Sequence, residues 1–264
     1  VPRIVLSGHT DVVPVDGQPW TLPPFALTER EGKLYGRGTA DMKGGIAVIL
    51  AALRALEASP LAPRIGYDVL INSDEETGSH ASARLIAELA QGKTAALTYE
   101  PALPDGTLAG ARPGSGNFSI TIHGKAAHAG RNPEDGRNAL IAAADLALRL
   151  NAAKAPGLKI NPAKIDGGGP NNIVPDQAIL RVNLRPMTPA DMEIAADLIR
   201  TSVSAVEREH DVHAHVHGGF NRPPKPLDAA ATRLFELVRD CGNDLGLAVA
   251  WNATGGVCDG NNIA

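Results

Sequence analysis

Cysteine is scarce in this sequence: only Cys241 and Cys258 occur in 264 residues. Two thiols cannot build the disulfide framework on which small secreted folds rely, and their scarcity favours a reducing, cytoplasmic compartment. Long apolar runs are absent too. A membrane-spanning helix needs roughly 18 or more consecutive apolar residues, and the best candidate, Gly44 to Leu56, is interrupted by Arg54. Nor is there an excess of positive charge. The formal net charge is -4, the pI is ≈ 6.1, and no segment concentrates Lys and Arg, so no field draws in nucleic acid or an anionic membrane. An initiator Met and a signal-peptide pattern are also missing. The chain opens at Val1 inside what reads as a buried strand, Ile4 to Leu6, and stops at Asn261-Asn262-Ile263-Ala264, where another helix could begin. It is expected to be a fragment at both ends.

What is present is an ordinary globular composition, 44% hydrophobic and 20% charged, in a length that suits two modest domains. The strand Ile4 to Leu6 runs into Gly8-His9-Thr10-Asp11, and a loop rich in Pro and Gly leads to Gly36-Arg37-Gly38-Thr39-Ala40-Asp41. Ile46, Ile49, Leu50, Leu53 and Leu56 then recur at spacings of three and four, the stripe of an amphipathic helix. Ile65 to Asn72 reads as a second buried strand, Ser79 to Ala90 as a helix with Leu85, Ile86 and Leu89 inward, and Thr94 to Tyr99 as a third strand. This alternation predicts an α/β sheet. Ligands of such sheets collect beyond the carboxyl ends of the strands, where His9, Asp74-Glu75-Glu76 and Glu100 all fall.

From Arg112 the pattern changes, with Phe118, Ile120 and Ile122 alternating with Ser119, Thr121 and His123, as in a sheet covered on one face. A helix (Asn138 to Leu150), strands around Lys159 to Ile165 and Ala178 to Leu184, a helix after Thr188-Pro189 and a strand Asp211 to His217 complete a β-α-β-β-α-β order. That is the order of a ferredoxin-like α+β sandwich. The expected division is a catalytic domain over 1–111, an inserted domain over 112–222, and the rest of the catalytic domain over 223–264. In the last part a helix (Ala229 to Cys241, with Cys241 in the core) and a strand (Leu247 to Trp251) are predicted.

Taken singly, the polar residues at the strand ends read blandly: His9 as a loop histidine beside a turn aspartate, and Asp74-Glu75-Glu76 as a solvated acidic loop. Imidazole and carboxylate together nevertheless suit Zn²⁺, and a carboxylate can bridge two ions. His210, His213, His215 and His217 read as the solvated face of an edge strand. Cys258 reads as a small residue in a glycine-rich loop rather than a ligand or nucleophile.

The joint pattern is more specific. His9-Thr10-Asp11, Gly36 to Gly44, Asp74-Glu75-Glu76-Thr77-Gly78 and Tyr99-Glu100-Pro101 resemble the dinuclear-zinc family of acetylornithine deacetylase, succinyl-diaminopimelate desuccinylase and bacterial glutamate carboxypeptidase. The resemblance covers essentially the whole chain. It implies a zinc-peptidase catalytic domain with an inserted ferredoxin-like lid and dimerisation domain, two Zn²⁺ per subunit with cobalt as a substitute, and a homodimer. It further implies that His9 and Glu100 ligate one zinc, Glu76 the other, and Asp41 bridges them, with a non-proline cis bond after Asp41. Glu75 would be the general base, acting on the opposite side from Glu76 if the segment is extended, and Asp11 would orient the His9 ring. A closing histidine ligand is expected beyond the Gly255-Gly256-Val257-Cys258-Asp259-Gly260 loop. In the inserted domain, His128 matches a histidine that stabilises the oxyanion in the partner subunit's site, while Asn172 and Arg185 match substrate-binding residues, Arg185 for a carboxylate; Gly255 and Gly256 would also line the substrate.

The expected activity is therefore metal-dependent amide hydrolysis of a small N-acyl amino acid or short peptide. Glu100 to Gly130 and Thr254-Gly255-Gly256 resemble the glutamate carboxypeptidase branch, which implies release of a C-terminal amino acid such as glutamate. Gly8 to Pro14 and on to Gly38 look more like acetylornithine deacetylase, which gives an N-deacylase as the alternative. A catalytically inactive binding module on the same fold is the second alternative.

Overall fold

The computed structural model describes residues 1–264 and divides into two compact units, Val1–Ala111 with Leu227–Ala264, and Arg112–Pro226. The first unit opens with β1 (Arg3–His9), followed by a hairpin of β2 (Thr28–Arg30) and β3 (Lys33–Tyr35) and an irregular turn, Thr39–Lys43, that leads into α1 (Gly44–Glu57). Next come β4 (Gly66–Asn72), α2 (Ala83–Ala90), β5 (Ala95–Thr98) and β6 (Leu108–Ala109). β1 lies between β4 and β5, and all three run parallel. Parallel neighbours need a crossover, which α1 and α2 provide. Successive residues Val5, Leu6 and Ser7 of β1 are all buried, as a strand covered on both faces requires.

Between β1 and β5, the elements β4, α2 and α1 differ from the sequence expectation. β4 is an edge strand, so Val69 and Ile71 are exposed and only Leu70 is fully buried. α2 starts at Ala83 rather than Ser79, because the Asp74 carboxylate accepts hydrogen bonds from Ala81 N, Ser82 N and Ser82 Oγ and holds that stretch as a loop. Its Leu85 points outward, as does Leu50 of α1, while Ile49 and Ile86 are buried. Gly45 permits the first turn of α1 to meet the strand-end loop: a Cβ there would lie 2.0 Å from the carbonyl oxygen of Tyr99.

The second unit has β7 (Ser115–His123), α3 (Ala139–Ala152), β8 (Leu158–Gly167), β9 (Gln177–Pro186), α4 (Pro189–His210) and β10 (His213–Arg222). Its antiparallel sheet has the order β10-β7-β9-β8, so the predicted β-α-β-β-α-β order is present. Phe118, Ile120, Ile122, Leu180 and Leu184 cover one sheet face with Ala142, Leu146 and Leu150 of α3 and Ile199, Val203 and Val206 of α4. Both helices are capped from the sequence: Asn138 Oδ1 accepts from Leu140 N and Ile141 N, and Thr188 with Asp191 forms a reciprocal capping box. The unit extends to Pro226 rather than Arg222, because Arg112 and Lys225 exchange backbone hydrogen bonds of 2.9 Å in both directions.

The chain returns to the first unit with α5 (Ala229–Asp244), β11 (Trp251–Asn252), which runs parallel to β6, and α6 (Gly260–Ile263). β11 is shorter than predicted; its ladder partner β6 offers two residues, and Leu247 is exposed. Cys241 is exposed within α5, not in the core, whereas Cys258 is buried. No helix is long and apolar enough to cross a membrane.

Candidate metal centre

Parallel pairing brings the carboxyl ends of β4, β1 and β5 to one edge, and the side chains singled out in the sequence lie there. His9 is the last residue of β1, opposite Asn72, the last residue of β4, and Glu100 follows β5. The His9 ring is 1% exposed. Its Nε2 lies 3.1 Å from Asp41 Oδ1 and 3.8 Å from Glu100 Oε2. Two groups of ligand atoms converge within 4.8 Å of one another, His9 with Asp41 and Glu76, and His9 with Glu75 and Glu100. The peptide between Asp41 and Met42 is cis. Behind the cluster, Lys43 Nζ donates to the Thr10 carbonyl at 3.0 Å.

Glu75 and Glu76 do not lie in an extended segment. They occupy a turn in which Gly78 N donates to the Glu75 carbonyl at 2.9 Å and Ser79 N to that of Asp74 at 2.7 Å. The alternation of a strand does not apply there, so both carboxylates reach the His9 ring. Glu75 is buried and Glu76 partly so.

Asp11 has more to do than its position beside His9 suggested. The nearer contact to His9 Nδ1 is the Asp11 backbone carbonyl at 3.1 Å, with its carboxylate at 3.3 Å. The other carboxylate oxygen accepts Glu76 N at 2.9 Å. One residue thus supports the ring and the acidic turn, a role that no local sequence signal announces because the partners are 65 positions apart.

The electrostatics show what the cluster fits. Burial by itself would lower the His9 pKa, but hydrogen bonds to Asp41 and Glu100 and the charges of Glu100 and Glu75 outweigh it and raise the pKa to about 11. The hydrogen bond from His9 lowers the Asp41 pKa against the effect of burial. Burial, and next the charge of Asp41, push the Glu76 carboxyl upward. Carboxylates of Asp11, Asp41, Glu75, Glu76 and Glu100 thus gather around one imidazole. Nitrogen and oxygen donors in negative excess, at overlapping three-ligand positions, fit divalent cations of the zinc class.

The remaining residues singled out in the sequence divide between the two units. Gly255 and Gly256 lie in the loop after β11, where Gly256 N donates to Thr254 Oγ1 at 3.3 Å. In the second unit His128 pairs with Ile173 across an antiparallel bridge, and Ala129 N donates to the Asn172 carbonyl at 2.9 Å, so His128 and Asn172 are neighbours. Arg185 is near the far end of β9, its Nε bonded to Asn183 Oδ1 at 3.0 Å. Of the other histidines, His210 pairs with Asp145 at 2.8 Å, while His213, His215 and His217 are exposed on edge strand β10.

Comparison with known proteins agrees with this geometry. The family model described as Peptidase family M20/M25/M40 matches residues 5–264. A succinyl-diaminopimelate desuccinylase of Delftia acidovorans is 31% identical over 100% of this chain and 71% of its own length. An acetylornithine deacetylase of Proteus mirabilis is 33% identical over 77% of this chain and 55% of its own. Among solved structures, aminopeptidase PepT from Bacillus cereus shares the fold, with a TM-score of 0.79 at 23% identity over 100% of this chain and 69% of that one. A match over nearly the whole chain, joined to a histidine and carboxylate cluster at the strand ends, places this protein in peptidase family M20/M25/M40, a family of metal-dependent hydrolases whose members generally use a dinuclear metal site.

Proposed function

We propose that this protein hydrolyses the amide bond of N-acylated amino acids, removing a small acyl group from an amino nitrogen, at a pair of zinc ions. The observation that carries this reading is the convergence of His9 with Asp41, Glu75, Glu76 and Glu100 in two overlapping groups of ligand atoms. His9 and Glu100 would hold one ion, Glu76 the other, and Asp41 both. When bound, the ions would polarise the amide carbonyl and lower the pKa of a shared water. Glu75 would take the proton of that water and return it to the departing amine, a general-base role favoured by its burial beside Glu100. Asp11 would keep the His9 ring and the Glu76 backbone in register. Gly255, Gly256, Asn172 and Arg185 would contact the substrate, Arg185 through the fork that suits a carboxylate. In a two-fold homodimer, His128 would reach the partner subunit's site and stabilise the developing oxyanion.

The relatives are named for removing succinyl and acetyl groups, which moves the balance from glutamate release toward N-deacylation. A substrate panel separates the two. An N-deacylase turns over N-succinyl-diaminopimelate or N-acetylornithine and discriminates against bulky acyl groups, whereas a glutamate-releasing carboxypeptidase requires a C-terminal glutamate and tolerates bulk on its nitrogen. The expected result is at least about tenfold higher kcat/KM on a small-acyl substrate, the equivalent of about 1.4 kcal/mol in transition-state binding. A preference of that size for bulky N-acyl glutamates would overturn the deacylase reading.

A further inference from the structure

The turn carrying Glu75 and Glu76 is held from a distant part of the chain. Asp259, 3% exposed, stands at the start of α6. One of its carboxylate oxygens accepts a hydrogen bond from Ser79 Oγ, and the other accepts Asn72 Nδ2 at 2.8 Å. Asn72 is the last residue of β4 and Ser79 follows Gly78, so the two partners flank the acidic turn on either side. Ser79 is itself fully buried and has a left-handed backbone (φ 55), a conformation that a non-glycine residue adopts where its surroundings hold it. The same Asn72 amide also donates to Ser82 Oγ at 2.9 Å, and that hydroxyl donates to Asp74 Oδ1 at 2.6 Å. On the other side of Asp259, Asn261 Oδ1 accepts Cys258 N at 3.0 Å, which fixes the end of the Gly255–Gly256 loop.

We propose that Asp259 is a positioning residue for hydrolysis: its carboxylate staples Asn72 to Ser79 and so fixes the turn that presents Glu75 and Glu76. The inference rests on the reading of that turn as the source of the general base and a metal ligand. The turn itself is closed by local backbone bonds, Gly78 N to the Glu75 carbonyl at 2.9 Å and Ser79 N to that of Asp74 at 2.7 Å, so a buried carboxylate that joins its two flanks adds a restraint from outside the turn. A carboxylate suits the task because both oxygens accept, one from a hydroxyl and one from an amide. Its separation from Ser79 by 180 positions and from Asn72 by 187 also ties the glycine-rich loop to the acidic turn.

The test compares Asp259→Ala, Asp259→Asn and Ser79→Ala in the protein at its natural length. A misplacement of about 1 Å can cost about a hundredfold in rate, so Asp259→Ala is expected to lower kcat roughly ten- to a hundredfold with KM nearly unchanged. Asp259→Asn can accept from Asn72 and donate to the Ser79 hydroxyl, so it should restore most of the loss. Ser79→Ala should show a smaller loss that is not additive with Asp259→Ala, and it keeps the test open if the alanine variant at 259 does not fold. Two readouts are independent of turnover. Amide exchange of residues 73–80 in the metal-free protein should accelerate in Asp259→Ala while the second unit is unchanged, and cobalt affinity should fall because Glu76 is displaced. Unchanged local exchange and cobalt affinity, or an asparagine variant as poor as alanine, would overturn the staple. The underlying reading fails separately: if Glu75→Gln and Glu76→Gln leave turnover intact, the turn is not part of the catalytic machinery, whereas inactive glutamine variants beside a fully active Asp259→Ala reject only the staple.

Discussion

Glu75→Gln is expected to lower turnover by at least about a hundredfold, the low end of what a positioned general base contributes. Glutamine matches glutamate in size and keeps one acceptor oxygen, so the packing around this buried side chain is preserved. What it loses is the capacity to accept a proton from water and return it to the leaving amine. Glu75 also falls within 4.8 Å of the ligand atoms of His9 and Glu100, where a ligand would equally sit. Metal content measured beside kcat separates the two roles. A base predicts low kcat with metal retained; loss of metal would make Glu75 a ligand, and near-normal kcat would move the base elsewhere.

His128→Ala is expected to reduce turnover about a hundred- to a thousandfold, the usual effect of removing an oxyanion donor, with metal content unchanged. His128 lies in the second compact unit, and every proposed metal ligand lies in the first. Its backbone is fixed by the bridge to Ile173, and its Nδ1 accepts Gly130 N at 3.1 Å, leaving Nε2 as the atom for donation. If the ring serves the partner subunit, mixing His128→Ala with Glu75→Gln forms heterodimers in which one site has both residues intact. Recovered activity supports donation between subunits. Freely exchanging dimers that remain inactive would assign His128 to its own subunit or remove it from catalysis.

Much of the architecture is legible in the sequence because its signals are local. The alternation of Phe118, Ile120 and Ile122 states which face of β7 is covered, and Asn138 and Thr188 mark two helix starts. Parallel strands end together, so the alternation of strands and helices in the sequence is enough to bring His9 and Glu100 to one edge. The failures are contacts that span the chain. Val69 and Ile71 read as core from their hydrophobicity, but whether β4 is an edge strand depends on the whole sheet. Glu75 and Glu76 look like neighbours on opposite sides of a strand until the backbone bonds at Glu75 and Asp74 show a turn. Asp11 and Asp259 each bind partners 65 or more positions away, for which spacing carries no signal.

The most direct test of a metal-dependent amide hydrolase is to strip the protein at its natural length of metal and titrate zinc back while following both binding and hydrolysis of an N-acyl amino acid. The expected result is no turnover in the metal-free protein, two zinc ions bound per chain, and activity that rises with occupancy, with cobalt able to substitute. Equal turnover with and without metal, or a protein that binds no zinc and gains no activity from it, would show that hydrolysis here does not run on a metal pair.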